Sequence, residues 1–214
     1  MKNNIKIAVL GGTGKSGKYL VEQLISQGFP IKMLIRNPEH FQILNPLVEV
    51  VLGDVSNSNA VHLLIEDCSA VISTLGFGIP PSEPSIFSKA TKLVIEAMNN
   101  SNIQRYIVVT GLHVDTSSDK KSAKTTMATE WMKKNYPIST ADRQLEYDIL
   151  TASKLDWTLV RLPMIELTSE RNQLAVSLED CPGEKISATD LAHFLVDQLL
   201  DNRYIRKAPF LARV

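Results

Sequence analysis

Cysteine is scarce in this chain. Cys68 and Cys181 stand alone, without CxxC spacing and without a histidine at metal-ligand intervals, which sets aside a disulfide framework, a zinc site and a redox dithiol. Net charge is missing too. The 23 basic and 23 acidic residues cancel, so no overall field draws the protein toward nucleic acid or an anionic membrane, and any anion it binds must be held locally. No apolar run approaches the roughly 20 residues that cross a bilayer. Met1 to Asn4 is short and polar and passes directly into Ile5-Lys6-Ile7-Ala8-Val9-Leu10, a start that predicts neither a signal nor a transit peptide and points to a reducing cytoplasm. Ser/Gly linkers, low-complexity tracts and internal repeats are absent as well. The expectation is therefore one domain over residues 1–214, a monomer or weak homo-oligomer that binds a small molecule rather than nucleic acid or membrane.

What is present is an alternation. Apolar runs rich in Val and Ile recur at Ile5 to Leu10, Ile31 to Ile35, Val48 to Leu52, Ala70 to Leu75, Tyr106 to Thr110 and Trp157 to Leu162. Each reads as a strand buried on both faces. Helical periodicity occupies Ser16 to Gln27, Ser58 to Asp67, Ser85 to Asn99 and Thr140 to Ser153. Strand-helix alternation implies right-handed crossovers and a mainly parallel sheet with helices on both faces. Ser139 before Asp142 and Ser187 before Asp190 have capping-box spacing and predict two helix starts. From Val114 to Pro137 the rhythm breaks: Asp119 to Lys124 is polar, and Thr129 to Lys134 predicts a short helix. That stretch is either a solvated excursion or a substrate lid.

Directly after the first strand comes Gly11-Gly12-Thr13-Gly14-Lys15-Ser16-Gly17, and then a helix. Residues without Cβ permit a turn with positive φ and close approach of backbone to a pyrophosphate, while a helix N-terminus offers unpaired N–H groups. The spacing fits both GxGxxG and GxxGxxG, and the second register (Gly11, Gly14, Gly17) is preferred. Gly14-Lys15-Ser16 imitates the end of a nucleotide-triphosphate loop, but that motif needs glycine five positions earlier, where Val9 stands. The second strand ends in Arg36-Asn37-Pro38 and not in the acid that binds a ribose 2′-hydroxyl. A guanidinium there can fork onto a 2′-phosphate, which favours NADP(H) over NAD(H), or it is a solvated cation. Asp54 and Val55 follow the third strand, where the carboxylate or nearby backbone can meet an adenine or cap a turn. The fourth strand runs into Leu75-Gly76-Phe77-Gly78, whose backbone can line a cofactor or form a plain loop.

Taken together these residues resemble the atypical short-chain dehydrogenase/reductase superfamily, in particular its NmrA-like group and the flavin reductase/biliverdin-IX-beta reductase type. The marks are residues 11–17, Arg36-Asn37-Pro38, Gly53-Asp54, Thr110-Gly111, Asp156 to Pro163 and Ile186 to Ala192. The resemblance implies a Rossmann-type doubly wound α/β sheet with NADPH across its carboxyl edge. It also implies a pocket over the nicotinamide, lined by Leu75 to Ile79, Thr110 to His113, and Pro163 with Met164. Tyrosine-dependent relatives use a YxxxK dyad, and the residues four beyond Tyr19, Tyr106, Tyr136, Tyr147 and Tyr204 are Gln23, Thr110, Thr140, Thr151 and Ala208. Phenol-mediated carbonyl reduction is excluded. The flavin-reducing relatives carry serine beside threonine after strand five, where this chain has Gly111. A flavin accepts hydride directly and can take its proton from water, so a reductase of flavin or a similar planar acceptor survives that loss. His113 is the nearest candidate acid, with an ordinary pKa suited to neutrality. A non-catalytic NADP(H) sensor or scaffold of the NmrA type fits the same residues.

Overall fold

Short runs of β-branched and leucine side chains become strands here because helices cover both of their faces. The computed structural model describes residues 5–41, 45–78 and 82–214. Its elements run β1 (Ile7–Leu10), α1 (Gly17–Ser26), β2 (Ile31–Ile35), β3 (Val48–Leu52), α2 (Ser58–Ile65), β4 (Ala70–Ser73), α3 (Ile86–Asn100) and β5 (Arg105–Gly111). They continue through α4 (Ala123–Asn135), α5 (Pro137–Ala152), β6 (Asp156–Leu162), β7 (Met164–Glu166), β8 (Leu174–Ser177), β9 (Lys185–Ser187), α6 (Ala188–Asp197) and β10 (Phe210–Arg213). One sheet has the order β3-β2-β1-β4-β5-β6-β10-β8, parallel except where β8 meets β10. Its first six strands follow the doubly wound Rossmann order, which reverses direction between β1 and β4 and opens a crevice at their carboxyl ends. β7 and β9 form a separate parallel pair.

Side-chain alternation divides the core into two layers. Ala8, Leu10, Val71 and Val108 pack with Val61, Leu64, Val94 and Leu150 of α2, α3 and α5. Ile7, Val9, Ile72 and Ile107 pack with Leu20, Leu24, Leu191 and Leu195 of α1 and α6. β3 departs from the expectation of burial on both faces: it is the outer strand, and Val50 and Leu52 are exposed. Buried Lys32 on β2 sends its ammonium to the carbonyls of Leu63 and Glu66, at 3.1 and 3.0 Å, and so closes the C-terminus of α2. No helix of the described residues is long and apolar enough to cross a membrane.

Of the two expected capping serines, Ser187 caps α6: its hydroxyl accepts from the Asp190 amide at 3.0 Å and donates to Asp190 Oδ2 at 2.8 Å. Ser139 does not cap. Pro137, preorganised for the first helical position, starts α5 two residues before Ser139. Asp142 serves another helix, with Oδ2 accepting from the amides of Phe87 and Ser88 at 2.9 and 3.3 Å in the first turn of α3. The short helix expected at Thr129 to Lys134 is a helix of 13 residues, begun by Ser122, whose hydroxyl accepts from the Thr125 amide.

Asp142→Ala strands two buried amides at the head of α3 and should cost about 1–2 kcal/mol. Urea unfolding checks this: the midpoint should fall with an unchanged slope, and an unmoved midpoint would mean that the cross-helix cap carries no weight.

Candidate functional site

The loop after β1 is shaped by contacts that tolerate no side chain. Gly11 has φ +74, and a Cβ there would stand 2.6 Å from the Thr74 carbonyl oxygen. A Cβ on Gly17 would stand 2.0 Å from the Gly11 oxygen. Thr74 locks the end of β4 onto β1, its amide and hydroxyl both donating to the Leu10 carbonyl. Gly14 is exposed and its amide donates to Gly11 O at 2.9 Å, so the chain folds back before α1 begins. The amides of Thr13, Lys15, Ser16 and Gly17 find no acceptor among the described residues. Ser16 makes no side-chain cap, and the first turn of α1 holds no acid. A helix N-terminus left uncompensated at the sheet's reversal point is an anion cradle, and its glycines match what a dinucleotide diphosphate requires.

Three strand ends complete the groove. Arg36, after β2, donates from Nη1 to Ser82 Oγ at 3.0 Å and lies 3.8 Å from Asp54 Oδ2. Asp54 accepts from the Ser56 amide and hydroxyl at 2.9 and 2.7 Å. Burial draws its pKa up, but these bonds and the Arg36 charge outweigh burial and hold it below the usual carboxylate range. α2 is capped by Asn57, so Asp54 makes a turn rather than a helix cap. Val55 places its side chain in the core. Leu75 and Gly76 follow β4; Gly76 borders open space, and the Leu75 carbonyl is held by Arg143 Nη2 at 2.7 Å. Ile79, expected in this lining, lies outside the described residues.

Beyond the groove, a cavity of about 690 Å³ opens over the carboxyl ends of β5 and β6. Gly111, His113, Pro163 and Met164 line it, and so do Trp131 and Met132 of α4, whereas Leu75 to Gly78 and Thr110, which the resemblance implied for the same pocket, are not among its walls. The polar stretch 114–137 therefore provides a wall of the cavity. It is tied down on both sides: Lys121 Nζ donates to Leu112 O at 3.1 Å and pairs with Asp115, while fully buried Arg161 meets Asp119 at 2.7 and 2.9 Å and the Val114 carbonyl at 3.1 Å. Lys124 and Glu184 form an ion pair between α4 and the loop after β8.

Three buried polar atoms at this place have no partner among the described residues: Thr110 Oγ1 and both ring nitrogens of His113. Leaving a buried polar group unsatisfied costs about 1–3 kcal/mol. His113 does not titrate near neutrality, as its ordinary pKa suggested. Burial first, then the charges of Arg143 and Lys121, press it to about 4, so the imidazole is neutral at pH 7 and is no reservoir of acid. Sequence reasoning missed Arg143, whose guanidinium donates to Val109 O (3.1 Å), Glu146 (2.7 Å) and Leu75 O while resting 3.4 Å from the Phe87 ring centre. An arginine three residues before a glutamate on the apolar face of α5 was the available signal. Trp131 and Met132 were hidden inside a stretch read for its charge. No group of three His, Cys, Asp or Glu among the described residues could hold a metal ion.

A family model described as NAD(P)H-binding matches residues 11–202, nearly the whole chain. The chain belongs to the NAD(P)H-binding family. Among curated relatives, an isoflavone reductase homolog A622-like protein of Nicotiana tabacum is 39% identical over 80 residues, covering 33% of this chain and 26% of that one. Phenylcoumaran benzylic ether reductase 1 of Arabidopsis thaliana is 29% identical over 117 residues, covering 50% and 35%. The chain thus spans only about a quarter to a third of the length of these relatives. Among solved structures, a short-chain dehydrogenase/reductase of Veillonella parvula in complex with NADP superposes with a TM-score of 0.80 at 18% identity, covering 98% of this chain and 94% of that one. ChuY, an anaerobillin reductase from Escherichia coli O157:H7, gives 0.81 at 19% identity and 97% coverage of both chains. The two superpositions show that the fold is shared.

Gly17→Ala should lower the thermal midpoint and remove NADPH binding by calorimetry, since its methyl group meets backbone that cannot yield. A second expectation concerns pH. Because native His113 titrates at about 4 and not at the usual 6.5, the unfolded chain binds the extra proton between those values. Stability should then fall as pH drops from 6.5 toward 4 and level off below. In His113→Phe that part of the slope should vanish, and a retained slope would place it elsewhere.

Proposed function

We propose that this chain is an NADPH-dependent oxidoreductase that reduces a flavin or similar planar acceptor without a tyrosine-lysine dyad. The observation that carries this reading is the presence of two features on the carboxyl edge of one sheet: a glycine-turned loop with unpaired amides after β1 and, at the ends of β5 and β6, a cavity of about 690 Å³ with largely apolar walls. Of the relatives and neighbours, one structure holds NADP and another is an anaerobillin reductase, which supports the same class.

The chain's part in such a reaction is positioning. Amides of Thr13, Lys15, Ser16 and Gly17 would hold the diphosphate, and Gly14 leaves room for it. Arg36 with the Ser82 hydroxyl would take a 2′-phosphate, and Asp54 with the backbone of Val55 would border the adenine. Leu75, Gly76, Thr110 and Gly111 would line the inner half of the dinucleotide, with Pro163 and Met164 closing the far side. When bound, the reduced nicotinamide supplies two electrons and one proton to the acceptor as hydride, and the second proton comes from solvent. No tyrosine lines the cavity. Tyr106 is wholly buried beside Thr91 and Glu146, with its pKa pushed up by burial, and Tyr147 packs edge-on against Trp157.

The decisive assay mixes the purified protein with NADPH and a panel of flavins, quinones and tetrapyrroles and follows absorbance of the reduced nicotinamide. Accelerated oxidation with at least one acceptor is expected. Binding without any turnover would leave the non-catalytic NADP(H) sensor instead. For cofactor choice, Arg36→Ala should weaken NADPH at least about tenfold, worth about 1.4 kcal/mol, and leave NADH nearly unchanged; equal losses would remove Arg36 from the 2′-phosphate.

A further inference from the structure

Gly111 is a glycine that its backbone does not require. Its φ is not in the positive range, unlike those of Gly11, Gly28 and Gly78, and it ends a regular strand, β5, paired with Leu162. What the missing side chain makes room for is the ring of His113: a Cβ at 111 would stand 2.6 Å from His113 Nδ1 and 2.7 Å from Cε1. Any larger residue at 111 displaces the ring. The ring so accommodated is 6% exposed, lines the cavity, and has no hydrogen-bond partner at either nitrogen among the described residues. Buried polar groups are ordinarily paired, and an exception at a cavity wall asks for a ligand.

We propose that Gly111 and His113 form the acceptor-recognition pair of the cavity, the imidazole turning into it to offer one N–H donor and one bare nitrogen to the polar edge of an uncharged planar acceptor. This rests on the reductase reading above. Burial, with the charges of Arg143, Lys121 and Lys133 outweighing that of Asp115, keeps the imidazole neutral, so recognition runs through hydrogen bonds and not through ion pairing. The remaining walls agree. Leu162, Pro163, Trp131, Met132 and Met164 are apolar, and the charges of Lys124 and Glu184 cancel in their own pair. A ring carrying carbonyls or ring nitrogens on one edge, such as an isoalloxazine or a quinone, satisfies both the apolar walls and the orphaned nitrogens. An apolar ring without such an edge leaves them unpaired and is rejected.

The test uses lumiflavin and menadione as uncharged probes, with affinity read by calorimetry and by quenching of tryptophan fluorescence, Trp131 being in the wall. His113→Phe keeps the ring and removes the nitrogens. It should bind both probes at least about tenfold more weakly, the loss of about one good hydrogen bond, while its thermal midpoint holds or rises and its NADPH heat is retained. Gly111→Ser, which displaces the ring, should weaken the probes similarly, and His113→Gln should recover part of the affinity. If His113→Phe binds both probes as the unaltered protein does, the proposal falls and the reductase reading stands. If the unaltered protein binds NADPH but neither probe, both fall together. Nitrogen-15 spectra of the ring probe the same pair without any ligand: a neutral imidazole from pH 5 to 8 is expected, and protonation with a midpoint near 6.5 overturns the proposal.

Discussion

The glycine loop at the carboxyl edge of this sheet depends on one constraint, the approach of backbone to backbone at two glycines. The Gly11 α-carbon sits so near the Thr74 carbonyl, and the Gly17 α-carbon so near the Gly11 carbonyl, that neither can carry a methyl group. Because Thr74 is itself bonded to Leu10 through amide and hydroxyl, β1, β4 and the head of α1 meet as one rigid corner. That corner holds the amides of Thr13, Lys15, Ser16 and Gly17, unpaired among the described residues, together at the reversal point of the strand order, the arrangement that a diphosphate requires.

Two buried arginines extend the same rigidity outward. Arg143 spans the ends of β4 and β5 through the carbonyls of Leu75 and Val109, balanced by Glu146 and stacked on Phe87. Arg161 does the like between β6, the segment before α4 and the strand at the chain's far end, through Asp119 and the carbonyls of Val114, Leu178 and Ala208, over the Phe210 ring. A charge taken out of water is tolerable only when its donors find acceptors, and here both terminal nitrogens of Arg143 and all three nitrogens of Arg161 do; removing one partner from such a site typically costs about 3–5 kcal/mol. These arginines hold the carbonyls and turns from which the groove and cavity are built.

At the end of β5 the described residues leave Thr110 Oγ1 and both ring nitrogens of His113 unserved. His113 is surrounded by cations and apolar atoms, and it occupies the volume that a side chain at 111 would fill. In the proposed function the groove would take a phosphate-rich molecule through backbone donors and a helix end, and the cavity at the ends of β5 and β6 would meet its ligand with apolar walls and a neutral ring. Two neighbouring sites of opposite polarity suit a reaction that joins a polyanionic cofactor to an uncharged ring.

Much of this was legible from residue order. Runs of Val and Ile marked β1 to β6, and the glycines at 11, 14 and 17 marked the anion loop, because strand burial and a Cβ-free turn are local demands that local sequence must meet. Arg36 and Asp54 were placed at the right strand ends for the same reason. Other features needed the assembled molecule. The exposure of β3 follows from its being outermost, and Asp142 caps a helix 55 residues away in sequence. β8 and β10 find their places only in the assembled sheet, β8 pairing with β10 and β10 with β6. The pKa of His113 is set by burial and by Arg143 and Lys121, brought to it by α5 and the turn before α4. Sequence alone determined the fold class and marked the glycine loop, since strand burial and a Cβ-free turn are read locally, although the contact of Gly11 with Thr74 that fixes the loop forms only when β4 pairs with β1. Only tertiary structure decided the cavity, its wall in 114–137 and the state of His113, since these arise where distant segments converge and exclude water.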